Sequence, residues 1–444
     1  MKLYYPKEYK TILKLGFPIT IGELGFTVQG LADNVMVGHH STNELAAAGF
    51  VNNFFLLTLL LTIGFAAGAI SRMGALFSRG ESRELVSVLK SSIVACVNQG
   101  LLVTSLLAVL YFCIPLMGQP EELLPLMKPY LLIQLASMPF IFLANPFKIF
   151  YECINETSVP MYVTMAGTIW NVFLNWVLIF GNLGFPELGL VGAGWATFSA
   201  RLLMFILYSS VLLFSGKYRQ YRELWKGTSL KRSEVRGLTK LGWPVAVQSA
   251  IEVASFTLVV VFIGWMGASH LAAHQVMCSL SNVVFMAFLG FSNAVAIRVS
   301  NHNGLGDMKA VREAAFAGYE IVLLISMVAS TLVFLFRFRL ADIFTDSAEV
   351  SEIVALCVNA LVLYQVGDGI QCTFCNALRG LGDVDVLIKY SFISYVLISI
   401  PLSYLFGIVL GLGTFGVWLG FPFGLSSAAL FYLLRFLRHT RTPA

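Results

Sequence analysis

Long apolar runs alternate with short polar segments along the whole chain. An α-helix needs about 20 apolar residues to cross the hydrocarbon core of a membrane. Turn sequences such as GNLGFPELG (181–189) and GLGTFG (411–416) separate some of these runs. The pattern predicts twelve transmembrane helices, over residues 11–34, 46–71, 90–115, 124–147, 160–180, 189–215, 237–263, 271–297, 314–336, 351–377, 388–408 and 412–435.

The composition agrees with this pattern. Of the 444 residues, 57% are hydrophobic and only 12% are charged. A soluble globular chain is about half apolar and about a quarter charged. We therefore expect an all-α polytopic membrane protein whose surroundings are a lipid bilayer. The net charge of +5 comes from basic residues gathered in particular loops, which indicates membrane topology and no nucleic-acid partner.

Basic residues occur in alternate loops, and this predicts the orientation in the membrane. Four lysines lie within residues 2–14, and seven basic residues lie within 216–236, whereas the loop 38–44 has none. Lys and Arg are enriched in cytoplasmic loops. We therefore expect both termini and the 216–236 connection to be cytoplasmic. Arg337 and Arg339 fall on the opposite side and are an exception to the rule.

The two halves of the chain repeat each other. KLGFP (14–18) recurs as KLGWP (240–244), and the same offset along the chain relates Gly64-Phe65 to Gly290-Phe291. Each half has six predicted spans, an even number, so the halves have the same orientation and form a parallel repeat. Many secondary transporters have such repeats, with binding sites near the membrane midplane. The sequence predicts two six-helix lobes, 1–215 and 237–444, joined by a cytoplasmic connection, 216–236.

Two carboxylates lie at membrane depth in the second half. Glu252 and Asp368 each interrupt an apolar span, and Tyr364 precedes Asp368 by four residues, on the same helical face. A charge at the centre of a membrane helix costs roughly 2.5–3.5 kcal/mol. No basic residue lies in a span centre of this half, because Arg298 and Arg379 fall near cytoplasmic ends. The pattern favours a transported or coupling cation over the alternative, a static polar network.

The first half has a different set of polar residues. Asp33 lies in the first span, Asn171 and Asn175 share a helical face, and Thr197 follows in the next span. These four residues could form a hydrogen-bonded cluster, although polar side chains also serve simply to hold membrane helices together. Glu23 lies in the first span as well, and the sequence assigns no role to it.

The chain resembles the multidrug and toxic compound extrusion (MATE) family, in its NorM-type bacterial branch. The resemblance covers essentially the whole chain, but YECINETSVP (151–160) only loosely echoes its counterpart in the second half. The matching motifs are GLADNVMVG with Asp33, PVAVQSAIEV with Glu252, LAAHQV (271–276), YQVGD with Tyr364 and Asp368, and ALRGLGD (377–383).

The resemblance implies a V-shaped pair of lobes that export organic cations in exchange for sodium ions or protons, in a bacterial inner membrane. It places a coupling-cation site in the second lobe, with sodium bound by Glu252, Asp368 and Tyr364 beside the aromatic Phe285. It also places a polar site for substrate or protons in the first lobe, at Asp33, Asn171, Asn175 and Thr197.

These features together predict a cation-coupled antiporter with small organic cationic or amphipathic substrates. We expect a monomer that is not an enzyme and needs no cofactor besides its coupling ion, sodium or a proton. No phosphate-binding glycine loop with its Lys and Ser/Thr occurs in the sequence, so ATP is not the expected energy source.

One alternative function is that of a lipid-linked oligosaccharide flippase of the same superfamily, which should have a basic cavity. Another is an intramembrane enzyme that uses Glu252 and Asp368 as catalytic acids.

Overall fold

The computed structural model describes residues 5–117, 120–344 and 347–441, and these ranges contain helices and turns but no β-strand. Twelve helical segments in them are long and apolar enough to cross a membrane, as the sequence predicted. The α-helices are α1 (Pro6–His40), α2 (Thr42–Ala67), α3 (Ile70–Ser78), α4 (Ser82–Cys113), α5 (Leu124–Cys153), α6 (Ser158–Phe180), α7 (Gly189–Phe214), α8 (Arg219–Gly227), α9 (Arg232–Gly264), α10 (Ala268–Gly304), α11 (Met308–Leu335), α12 (Ala348–Leu381), α13 (Asp385–Ser391), α14 (Ile400–Tyr404) and α15 (Gly413–His439).

The sequence repeat is also a structural repeat. Helix α1 begins at residue 6 and α9 at residue 232; α2 begins at 42 and α10 at 268; α4 begins at 82 and α11 at 308. All three pairs of helix starts are separated by the same offset that relates KLGFP to KLGWP in the sequence. The internal repeat is therefore confirmed at the level of helix positions.

The chain divides into two compact units. Unit 1 contains the described residues up to Thr20 and those from Val247 onward, and unit 2 contains Ile21–Ala246. This grouping differs from the predicted lobes in two short segments. The beginning of α1 packs with the second-half helices, and the beginning of α9 packs with the first-half helices.

The repeated glycine motif explains this exchange. In unit 1, a Cβ atom added to Gly16 would lie 2.8 Å from Cε1 of the Phe291 ring. In unit 2, a Cβ atom added to Gly242 would lie 2.8 Å from Cδ2 of the Phe65 ring. Each KLG motif thus packs its glycine against the phenylalanine from the other repeat. Any larger residue would push the ring away, since real Cβ contacts are not this short.

Two predicted spans are less regular than the sequence suggested. The span predicted at 46–71 is divided at Gly68 between α2 and α3, where a Cβ atom would lie 2.7 Å from the Gly242 backbone. The span predicted at 388–408 contains two π-helical stretches, Phe392–Ser399 and Leu405–Val409. Close backbone approach at glycines and π-helical turns are both known causes of helix irregularity.

The predicted connection between the halves contains a short helix, α8, which is anchored to α4 within unit 2. Lys90 Nζ donates hydrogen bonds to the carbonyls of Trp225, at 2.5 Å, and Thr228, at 2.8 Å. Arg83 donates to the carbonyl of Gly227 at 3.2 Å. Basic residues from α4 thus satisfy carbonyl groups at the end of α8, which otherwise lack partners.

Candidate functional site

Unit 1 places a buried acid on α12. Asp368 is only 1% exposed, and its Oδ2 atom is buried without a hydrogen-bond partner. In the described parts of the chain it forms no ion pair, and the charge that acts on it is that of Glu252 on α9. A buried carboxylate oxygen with no protein donor is suited to receive a cation, because an unpaired buried charge is costly.

Glu252 differs from Asp368 because it is connected to a fixed cation. Gln248 Nε2 donates a 2.8 Å hydrogen bond to Glu252 Oε2. The carbonyl oxygen of Gln248 accepts a 2.5 Å hydrogen bond from Arg379 Nη2. The expectation that both acids lie far from any base therefore holds for Asp368 and is wrong for Glu252. Helical side chains point towards the N-terminus, so the long Arg379 side chain reaches back from its position near the end of α12.

Tyr364 lies one turn before Asp368 on α12 and is 6% exposed. It is close enough to both Asp368 and Glu252 to interact with them electrostatically. Phe285, the aromatic residue that the resemblance implies, is half-buried on α10. Its part in the site stays a prediction, because among the described residues the rings nearest to Tyr364 are others. These rings are Trp418 at 5.9 Å, Phe256 at 6.2 Å and Phe421 at 6.2 Å between centroids.

Tyr395 is a residue of this site that the sequence did not reveal. It is 1% exposed, lies in the π-helical stretch Phe392–Ser399, and is within electrostatic reach of Glu252 and Asp368. Its segment, FISYVLIS, looks like an ordinary apolar span. The π-helical distortion marks this position, since such distortions often occur at functional sites.

Unit 2 brings together the four polar residues predicted for the first half. Asn175 Nδ2 donates to Asp33 Oδ1, and also to Asn171 Oδ1 at 3.2 Å. Asn171 Nδ2 donates to Thr197 Oγ1 at 3.4 Å. Asn171 and Asn175 are completely buried on α6, facing Asp33 on α1 and Thr197 on α7. The hydrogen-bonded cluster exists; whether it binds substrate or protons stays a prediction.

Arg201 is a second residue that the sequence analysis missed. It follows Thr197 by four residues on α7, and its guanidinium is close enough to act on the charge of Asp33. Its Nη1 atom donates to Ser137 and, at 2.7 Å, to Gln134 Oε1. The signal was present as a lone arginine in the span predicted at 189–215. Asp33 thus has a fixed cation nearby, whereas Asp368 has none among the described residues.

Comparison with known proteins identifies the family. The model of the MatE family matches residues 18–177 and 244–405, two segments whose starts are related by the offset of the internal repeat. The chain belongs to the MatE family. This confirms the resemblance that the motifs indicated.

Similar proteins cover nearly the full chain. The multidrug resistance protein NorM of Aliivibrio fischeri is 29% identical over 443 residues, which are 99% of this chain and 96% of that protein. NorM of Vibrio cholerae is 28% identical and covers 96% of this chain, with 94% of its own length matched.

Among solved structures, an outward-facing multidrug resistance MATE family transporter has a TM-score of 0.89 at 20% identity. The match covers 98% of this chain and 96% of that structure. A superfamily transporter from Pyrococcus furiosus has a TM-score of 0.88 at 20% identity, with the same coverage. The structural likeness therefore supports the fold class.

Proposed function

We propose that this multi-pass inner-membrane protein exports organic cations from the cytoplasm in exchange for sodium, by alternating access. The observation that carries the proposal is the buried Asp368 carboxylate, whose Oδ2 atom has no hydrogen-bond partner and which lies within electrostatic reach of Glu252. Family membership and relatives that are named multidrug resistance proteins support drug-like substrates.

Asp368, Glu252 and Tyr364 are the proposed sodium ligands. Hard cations prefer oxygen donors, and this group offers two carboxylates and a hydroxyl. Because Arg379 neutralises part of the charge around Glu252 through Gln248, we assign Asp368 the larger share of the affinity. Sodium is a transported ion here and not a structural metal.

Exchange follows if sodium and the organic cation compete for the same negative charge. A ligand shifts a two-state equilibrium only by the difference in its affinity for the two states. In this proposal sodium binds better to the outward-open state and the organic cation binds better to the inward-open state. Each ion then drives the other across the membrane. The partly exposed ring of Phe256, 6.2 Å from that of Tyr364 between centroids, is available to contact an organic cation.

Proton coupling through Asp33 is the second candidate, because Asp33 is hydrogen-bonded within a buried network. The nearby Arg201 makes this candidate weaker, since the charge of a fixed cation already acts on the Asp33 carboxylate. A lipid-linked oligosaccharide flippase is a further alternative. The enzyme alternative is set aside, because the relatives are named as resistance proteins and the solved neighbours as transporters.

The test is export of ethidium, a fluorescent organic cation, by purified protein in liposomes. With pH clamped, we expect an imposed sodium gradient alone to drive ethidium movement. No movement under the sodium gradient, together with strong movement under a proton gradient, would reject sodium coupling. Ethidium that stays in place under both gradients, with a lipid-linked oligosaccharide moving between leaflets, would favour the flippase.

A further inference from the structure

Unit 2 contains a second ionic cluster, formed by Glu23, Lys148 and Glu152. Lys148 Nζ lies 2.8 Å from Glu23 Oε1 and 4.0 Å from Glu152 Oε1. Lys148 and Glu152 are one turn apart on α5, and Glu23 comes from α1. Asp33 lies ten residues further along α1, which is roughly 15 Å of helix rise, so the two polar clusters are separate.

The cluster has one more acid than base. Lys148 is already engaged by Glu23 and lies over the Phe26 ring, 5.9 Å from its centroid. Glu152 is only 2% exposed, and its Oε1 atom, which faces Lys148, is buried without a hydrogen-bond partner. If all three groups are ionised, the cluster has a net charge of −1 with the Glu152 carboxylate buried, which is costly.

The internal repeat shows which residue occupies the same place in unit 1. Helix α5 is followed by Asn155, with φ 63°, and α12 by Gly382, with φ 77°. Asn155 N donates to the carbonyl of Glu152 and Gly382 N donates to the carbonyl of Arg379, both at 3.0 Å. The two helices thus end in the same way, and Glu152 corresponds in position to Arg379.

Unit 1 therefore has a base, Arg379, where unit 2 has the acid Glu152. The offset of the internal repeat pairs Glu23 with Ser249, and Arg379 Nη2 lies 3.4 Å from Ser249 Oγ. The corresponding place in unit 1 thus holds a serine and an arginine. Since a serine and an arginine fill the two corresponding positions in the shared fold, acids at Glu23 and Glu152 are not a requirement of the helix packing.

We propose that the Glu23–Lys148–Glu152 cluster is a proton-binding site, in which Glu152 takes up one proton while Lys148 stays paired with Glu23. A proton removes the excess charge without displacing any group. A metal cation would have to enter beside the Lys148 ammonium, which repels it. The other titratable groups that act on the cluster are Tyr208 from α7 and Cys153 next to Glu152, and neither carries a charge at neutral pH by its ordinary pKa. The inference does not depend on the coupling ion proposed for unit 1.

The net charge of the cluster predicts which substitutions should remove the proton site. Glu152→Gln removes the group that takes up the proton. Glu23→Gln leaves Glu152 intact but frees Lys148 to pair with it, so that Glu152 stays ionised. Both variants leave one acid and one base, and both should lose the proton site. Glu156→Gln is the matched control, because Glu156 lies between the spans and pairs with Lys217 at 2.6 Å.

The experiment is infrared difference spectroscopy of the purified protein in lipid nanodiscs, between mildly acidic and mildly alkaline buffer. The readout is the C=O band of protonated carboxyl groups, and size-exclusion chromatography checks that each variant is folded. We expect the intensity of this band to fall by the contribution of one carboxyl group in Glu152→Gln and in Glu23→Gln. Glu156→Gln should keep the wild-type intensity. A Glu152→Gln spectrum that overlays the wild-type spectrum would overturn the proposal. A Glu23→Gln spectrum that keeps the full band would also overturn the proposal. If Glu152→Gln does not fold, the Glu23→Gln spectrum alone decides.

Discussion

Gln248 donates a 2.8 Å hydrogen bond to the Glu252 carboxylate while its own carbonyl oxygen accepts one from Arg379. The amide thus connects a base to one of the two acids of unit 1 and leaves the other, Asp368, without such a connection. This asymmetry distinguishes two of the proposed sodium ligands. Glu252 is oriented by its neighbours, whereas the Asp368 Oδ2 atom has no hydrogen-bond partner.

Removing the amide should weaken sodium binding through Glu252. In Gln248→Ala the Glu252 carboxylate loses its donor, a hydrogen bond to a charged group worth about 1.5–3 kcal/mol. We expect a several-fold rise in the sodium concentration needed for half-maximal ethidium export, with little change in the maximal rate. Gln220→Ala, at an exposed position on α8, is the control and should behave like the wild type. An unchanged sodium requirement in Gln248→Ala would show that the amide does not position Glu252.

Replacing the unpartnered acid should abolish transport without loss of stability. Asp368→Asn keeps the shape of the side chain and removes a buried charge that has no fixed partner, so the desolvation cost is relieved. We expect no ethidium export above background and a thermal unfolding midpoint equal to or above that of the wild type. Asp342→Asn, at an exposed position, should leave both quantities unchanged. Misfolding of Asp368→Asn would instead favour a static network, and export at the wild-type rate would remove Asp368 from the mechanism.

The arginine of unit 2 should contribute to stability. Arg201 donates to Gln134 and Ser137, which are both buried. Arg201→Met removes the donor of Gln134 Oε1 and leaves Ser137 Oγ only the hydrogen bond that it donates to the Gln134 carbonyl. We expect the free energy of unfolding to fall by roughly 3 kcal/mol. The measurement is thermal unfolding in detergent, with Arg219→Gln, an exposed residue on α8, as a control that changes nothing. If Asp33 and Arg201 interact, the double variant with Asp33→Asn should lose less than the sum of the two single variants.

The orientation in the membrane can be tested by cysteine labelling from outside intact cells. The experiment starts from a variant without the seven native cysteines. Basic residues concentrate in the connection between the halves, so we expect it to be cytoplasmic. A cysteine at Ser41, between α1 and α2, should react with an impermeant reagent, and one at Lys226 on α8 should not. The reverse result would mean that the orientation is inverted.

Much of the fold was predictable from the sequence, because membrane helices must be long and apolar. The twelve helices and the repeat follow from hydropathy and from KLGFP and KLGWP alone. The irregular backbone could not be predicted, since the π-helical stretch Phe392–Ser399 has the apolar sequence of an ordinary span and leaves no periodic signal.

The polar site was predictable only in part. Spacing along a helix identified Tyr364 with Asp368 and Asn171 with Asn175, because residues four apart share a face. It could not show that Arg379 reaches Gln248, or that Lys148 lies between Glu23 and Glu152, because these contacts join different helices or depend on how long side chains bend. Only the structure therefore shows which buried acids of each unit have a base beside them.

The most direct test of sodium coupling at Asp368 is equilibrium binding of radioactive sodium to the purified protein, without any gradient. We expect saturable sodium binding to the wild type that ethidium displaces and that is weaker at low pH, since protons compete for the same carboxylate oxygens. Asp368→Asn should abolish this binding, and Asp33→Asn, in the other unit, should leave it intact. Sodium binding that survives Asp368→Asn, or that disappears in Asp33→Asn while Asp368 is present, would contradict the account.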